Sequence, residues 1–161
     1  MSDLRQRFYI EDFPVRGEVV HLEEALKTIL AQRDYMLAVQ ILLGEMLSAT
    51  ALLASTLKIK GRISLQIQAN GSFKWAMAEC NHLGEVRALA DYETDPRFGE
   101  ATDSSTVLAA LVNPVLFINI EPEHGERSGH LDLILDQLSD YTENRFAMQK
   151  KVQGAMIYPI I

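Results

Sequence analysis

The sequence is short of cysteine, of positive charge and of every common catalytic signature, and each shortage excludes something. A single cysteine, Cys80, stands among 161 residues. It cannot close an intramolecular disulfide, so a reducing compartment fits best. Lys and Arg number 15 against 22 Asp and Glu, a net charge of −7. That balance argues against nucleic-acid binding, which needs cationic side chains to displace counterions, and against docking on anionic membrane lipid. The N-terminus, MSDLRQRFYIEDFPVRGE, has no apolar stretch before a small-residue cleavage site. No secretory signal is visible, and a cytoplasmic protein is the expectation. There is no GxxxxGK[ST] and no strand leading into GxGxxG, which excludes the common phosphate loops. Neither HExxH nor a GxSxG elbow occurs. We also find no internal repeat and no low-complexity segment.

What the sequence does hold is one long apolar run. From Leu37 to about Lys58 only Gln40, Glu45, Ser48, Thr50, Ser55 and Thr56 interrupt it. A helix without a polar face is buried on all sides or lies in a membrane. At about 20 residues it is long enough to span. Gln40 and Glu45 would then sit in the bilayer, and neither a Lys/Arg cluster nor an aromatic belt flanks it. The expectation is the central buried helix of a soluble domain. The hydrophobic and charged fractions, 48% and 23%, suit such a domain, and 161 residues suffice for one core.

Around this helix the pattern predicts an α+β fold. Leu4 to Ile10 and Val15 to Val20 read as short strands, with Arg5 and Arg7 on a solvated face. Leu22 to Arg33 reads as an amphipathic helix, with His21 and Glu24 as a weak capping box. After Gly61 the period falls to two. Ile63, Leu65 and Ile67 alternate with polar residues, Asn70-Gly71 signals a hairpin, and strands follow at Ser72 to Cys80 and Glu85 to Tyr92. These three should pair as an antiparallel meander. Asp91 to Ser104 reads as a surface loop. A short helix capped near Asp103 to Ser105 ends at Asn113-Pro114, and Val115 to Ile120 is expected as a buried strand. A helix over Leu133 to Val152 and a terminal strand over Ala155 to Ile161 complete the reading as a single domain, 1–161.

Two groups of side chains stand out as candidate sites. Phe73, Trp75 and Met77 recur at period two and are expected on one face. They form either a core face, the role large apolar residues at period two usually take, or an aromatic binding stripe. His124 and His130, near Glu126 and Asp132, are the only residues crowded enough for a metal, and their spacing is irregular for one. Nothing cationic in sequence flanks Cys80, so it is expected to be structural.

Several segments together resemble a known family. Val15-Arg16-Gly17-Glu18 comes first, then LLGEMLSATALLASTLKIKGRISLQIQANG from Leu42 to Gly71. Gly84-Glu85-Val86-Arg87-Ala88 follows, and then the turn PEHGER from Pro122 to Arg127. In this order they resemble the N-terminal domain of the 33-kDa heat-shock protein family, the redox-regulated chaperones of the bacterial stress response. The resemblance covers about residues 4–127, and the Leu42–Gly71 block is its most specific part. It implies antiparallel sheets enclosing buried helices, and an ATP-independent holdase that binds unfolded or partly folded client proteins on apolar surface. It implies no enzyme activity, and a homodimer when active. Family members also carry a linker and a C-terminal zinc module with four cysteines, in a CxC and a CxxC pair, which senses oxidation.

This chain departs from that pattern. It has neither cysteine pair, so the redox switch and its zinc are expected to be absent, and no cofactor is expected. After Arg127 stands Ser128-Gly129-His130-Leu131, where the family continues with Tyr-Gln-Gly and an aliphatic residue. A shifted reading frame would turn codons for Tyr-Gln-Gly into Ser-Gly-His. The rival reading is a diverged tail over 128–161. The competing functions are a small metal protein or enzyme using His124 and His130, and an interaction module that pairs through Ile157–Ile161.

Overall fold

The computed structural model describes residues 2–57, 60–100 and 102–123. Met1–Glu123 forms one unit by its own contacts. The expected tail helix and terminal strand, and His124, Glu126, His130 and Asp132, lie outside the described residues.

The architecture is α+β. In chain order the elements are β1 (Leu4–Ile10), β2 (Val15–His21), α1 (Glu23–Leu30), α2 (Leu37–Thr56), β3 (Gly61–Asn70), β4 (Phe73–Asn81), β5 (Val86–Tyr92), α3 (Pro96–Glu100), α4 (Ser105–Ala109) and β6 (Val112–Pro122). The first two strands pair as an antiparallel hairpin. The others form an antiparallel sheet in the order β5-β4-β3-β6. The meander of three consecutive strands is as the alternation predicted. The Asn70-Gly71 turn closes its first hairpin with Gly71 at φ 101°, a left-handed conformation that suits glycine.

Helix α2 lies across one face of this sheet. Ala76, Ala78, Ala88 and Ala90 of β4 and β5 form a floor of small side chains, and Leu42, Leu43, Met46 and Leu47 fill the space above it. Small residues let the helix approach the sheet closely, which explains why the strands under it are rich in alanine. Buried Thr50 donates its hydroxyl to the Met46 carbonyl at 2.7 Å, so its polarity is satisfied within the helix.

The helix is not enclosed on every side, as its composition had suggested. Ile41, Gly44, Ser48 and Leu52 line one wall of a groove of about 730 Å³, with Val20 and Leu26 opposite. Among the described residues nothing fills that groove. Helix α1 is capped differently from the sequence expectation. His21 and Glu24 make no capping box. Instead the Asp3 carboxylate accepts the backbone N–H groups of Glu24 and Ala25, at 2.8 and 2.9 Å. A carboxylate at a helix N-terminus is favoured both by these bonds and by the helix dipole.

The segment expected as a surface loop, Asp91 to Ser104, carries a core residue. Helix α3 presents Phe98, which is fully buried, edge-on against Tyr92 with ring centroids 6.0 Å apart. Asp95 fixes its start. Its carboxylate accepts the Arg97 backbone N–H at 3.1 Å and the Arg97 guanidinium Nε at 2.9 Å, and Ser72 donates to it at 3.2 Å. The Arg97 guanidinium, chiefly, holds the Asp95 carboxyl down at about 2, below its usual 3.8. A depressed carboxylate stabilises the fold above its unfolded pKa, and that contribution is lost as pH falls through the folded value. We therefore expect the urea midpoint to decline between about pH 4 and pH 2, and Asp95→Asn to flatten part of that decline. Identical acid slopes in the two proteins would refute the assignment.

Candidate functional site

The residues singled out by sequence do not share a face. The ladder between β4 and β5 slips between Phe73 and Trp75: Phe73 faces Tyr92, yet Trp75 faces Asp91. Lys74 is the extra residue, a β-bulge. Beyond it the alternation changes phase, so Phe73, Ala76, Ala78 and Cys80 point into the core while Trp75 and Met77 point the other way. The expected Phe73–Trp75–Met77 stripe is thus divided. Phe73 is fully buried, and no client could touch it without unfolding the sheet.

Trp75 and Met77 lie half-buried on the sheet face opposite α2. The strand registers place Leu89, Met77, Gln66 and Phe117 in one row across all four strands, and Asp91, Trp75, Gln68 and Val115 in the next. The face is mixed: apolar at Leu89, Met77, Trp75, Phe117 and Val115, amide-lined along β3, and charged at Asp91 and at Glu79 and Arg87.

Strand β6 is the most exposed apolar element. It was expected to be buried because Val115-Leu116-Phe117-Ile118 is a continuous apolar run. Among the described residues it is instead the sheet's edge, and these side chains are 49%, 60%, 41% and 36% exposed. Val115 and Phe117 face one side, Leu116 and Ile118 the other. Helix α2 covers the middle of the sheet and contacts β3, β4 and β5. The helix stops at Ala109 and the strand begins at Val112, earlier than predicted, with Asn113 at a positive φ of 48° where the ladder to β3 slips. The burial error has a simple cause. A long apolar run signals burial only if something lies on both faces, and sequence does not say which strand ends a sheet.

The short motifs have structural roles. At Gly17 the ring of Phe8 crosses the backbone, and a Cβ there would lie 2.0 Å from Phe8 Cζ. Glu18 is largely buried between Arg5 and Arg7, at 3.8 and 3.4 Å, and accepts the Ser55 hydroxyl. Arg7 also donates to the Ser55 carbonyl. Arg5 and Arg7 therefore help tie the hairpin to the end of α2 rather than forming a purely solvated face. In the second motif, the Asn81 side chain accepts the backbone N–H groups of Leu83 and Glu85, and Gly84 takes φ 85°. Arg87 pairs with Glu79 at 3.2 Å, and Arg62 reaches the same carboxylate at 3.7 Å. Cys80 is buried, and desolvation pushes its thiol up, which suits a structural side chain.

An antiparallel hairpin and a four-stranded sheet pack on an apolar helix and leave apolar strand surface exposed. The sequence model described as Hsp33 protein matches residues 3–150 of the chain. The chain belongs to the Hsp33 family. The match continues past Arg127 and so exceeds the span over which the resemblance was read. The chain is 35% identical over 153 residues to a Vibrio parahaemolyticus protein named 33 kDa chaperonin, covering 94% of this chain and 51% of that protein. A protein of the same name from Ectopseudomonas mendocina is 38% identical over 153 residues, covering 94% and 50%. One from Pseudomonas fluorescens is 38% identical over 152 residues, covering 94% and 49%. The chain spans about half the length of these curated relatives. The zinc module implied by the Hsp33 resemblance calls for four thiolates. This sequence holds one cysteine, buried in β4, and the set does not fit on it. Among the described residues no group of three or more His, Cys, Asp or Glu side chains is arranged to hold a metal.

Proposed function

We propose that this domain is an ATP-independent holdase that binds unfolding proteins through apolar surface. The observation that carries the reading is the exposed run Val115-Leu116-Phe117-Ile118 on β6, in a chain whose family relatives are named chaperonins. Exposed contiguous apolar surface favours association with other apolar chains, because burying it releases water and needs no directional contact. Trp75 and Met77 add apolar surface on the Val115 and Phe117 side of the sheet, beyond Gln66 and Gln68 of β3. Phe73 does not. The clients are unfolded or partly folded proteins, the working compartment is the cytoplasm, and the chain itself is no enzyme. We read the active species as a homodimer, and residues 128–161 as a diverged family tail continuous in frame, in support of which the family match runs to residue 150.

The test is suppression of aggregation of a thermally unfolding reporter enzyme, without ATP. We expect suppression at near-stoichiometric ratios, and equal suppression with and without peroxide, because residues 1–161 hold one cysteine, the buried Cys80, and no thiol pair for peroxide to oxidise. No suppression would overturn the holdase reading, and dependence on peroxide would overturn the unregulated one. Metal analysis of the same preparation separates the alternative. A metal protein built on His124 and His130 would carry stoichiometric zinc, whereas the holdase domain would carry none.

A further inference from the structure

We infer that the edge of β6, unpaired among the described residues, captures extended segments of unfolding polypeptide by strand addition, so that client backbone, and not only client side chains, is recognised. The inference rests on the holdase reading above and specifies its mode of binding.

The argument starts from the two edges of the sheet. At β5 the edge is blunted. The Arg33 guanidinium donates to the Ala90 carbonyl at 3.1 Å and lies 3.8 Å from Asp91. Among the described residues the other edge has no such guard. Among the described residues β6 pairs with β3 alone. It is the longest of the described strands, at 11 residues, and from Val112 to Ile120 it carries no charge. Natural edge strands are usually short, charged or twisted away, since a bare row of N–H and C=O groups templates pairing with another chain. Pro114 and the bulge beside it, where Asn113 takes a positive φ and the register slips against Gln68–Asn70, work against pairing only at its start, so the regular stretch on offer is Val115–Ile120. An added strand would meet apolar side chains on both faces, Val115 and Phe117 on one, Leu116 and Ile118 on the other. Main-chain pairing tolerates any client sequence, which suits a protein that must accept many.

Charge and area choose the occupant. A second copy laid along this edge would bring a net charge of −7 against an equal one, so the homodimer read above pairs through another surface. A single edge strand also offers less than the roughly 800 Å² per partner of a stable interface. A neutral or basic extended segment, bound transiently, meets neither obstacle.

The probes are a short peptide of alternating valine and threonine with lysine at each end, and the same peptide N-methylated at alternate residues. The side chains are nearly the same, but the second cannot pair. Binding is read by fluorescence anisotropy, and hydrogen exchange is followed over residues 112–120. We expect the unmethylated peptide to bind, the methylated one to bind roughly tenfold more weakly through loss of backbone hydrogen bonds, and the edge amides to slow only when the first is present. Leu116→Lys, at the most exposed position of the run, should weaken binding by a similar factor with an unchanged circular dichroism spectrum. Equal binding of the two peptides would overturn strand addition. Edge amides already slow in the free chain would also overturn it, the occupant being a second copy if they quicken on dilution and the chain's own residues if they do not. Aggregation suppression in the same preparation is scored separately. Its absence sinks the holdase reading, whatever the peptides do.

Discussion

Replacing Phe98 with alanine lowers the unfolding free energy by about 3–5 kcal/mol, the range for truncating a buried aromatic side chain. Phe98 has no exposed surface and packs edge-on against Tyr92, which in turn stacks on Tyr35 at 6.5 Å. Its helix is five residues long and has little stability of its own. The Asp95–Arg97 clasp sets where the ring enters, but the ring supplies the apolar burial. Urea denaturation reads the change as a lower midpoint at constant slope. A loss below about 1 kcal/mol would mean that the segment 95–100 is only loosely attached, and that the core closes without it.

Gly61→Ala is the second large effect, and it acts through backbone. A Cβ at Gly61 would lie 2.2 Å from the Glu121 carbonyl oxygen and 2.9 Å from Pro122 Cα. Neither is the end of a flexible side chain, so β3 and β6 must separate where they now pair. Strained close contacts of this kind cost about 3 kcal/mol. We also expect faster hydrogen exchange at the C-terminal end of β6, and weaker aggregation suppression if that strand carries clients. Gly84→Ala is the control. Its φ is 85° but nothing lies within 4 Å of the added atom, so only the left-handed backbone penalty of about 1–2 kcal/mol applies. Equal losses for the two variants would show that the approach of β6 to Gly61 is not tight.

The strands of the meander were legible because alternation at period two is local. Ile63, Leu65 and Ile67 point to one side whatever packs on them. Helix α2 was legible for the same kind of reason, since its length and lack of breakers need no partner to be seen. The phase of β4 was not. One bulged residue, Lys74, reverses which side chains face inward after it, and no propensity marks the residue at which a ladder slips. The alanines at 76, 78, 88 and 90 were the overlooked signal. Their size fits a close helix, while the larger Trp75 and Met77 drew attention to the wrong face. Phe98 was missed because its neighbours, Asp95, Pro96 and Gly99, are turn formers, and a five-residue helix shows no periodicity. Asp3 as the cap of α1 joins positions 21 residues apart, beyond any local capping pattern.

The sequence by itself determined the types of the long elements around the core, the α+β class, the central helix and the family resemblance, because these follow from periodicity and from residues close together in the chain. Only the tertiary structure decided where the apolar surface is exposed. Whether a run such as Val115-Leu116-Phe117-Ile118 is core or binding edge depends on which strand lies outermost and how far α2 reaches across the sheet. Those are properties of packing between distant segments, and no local pattern encodes them.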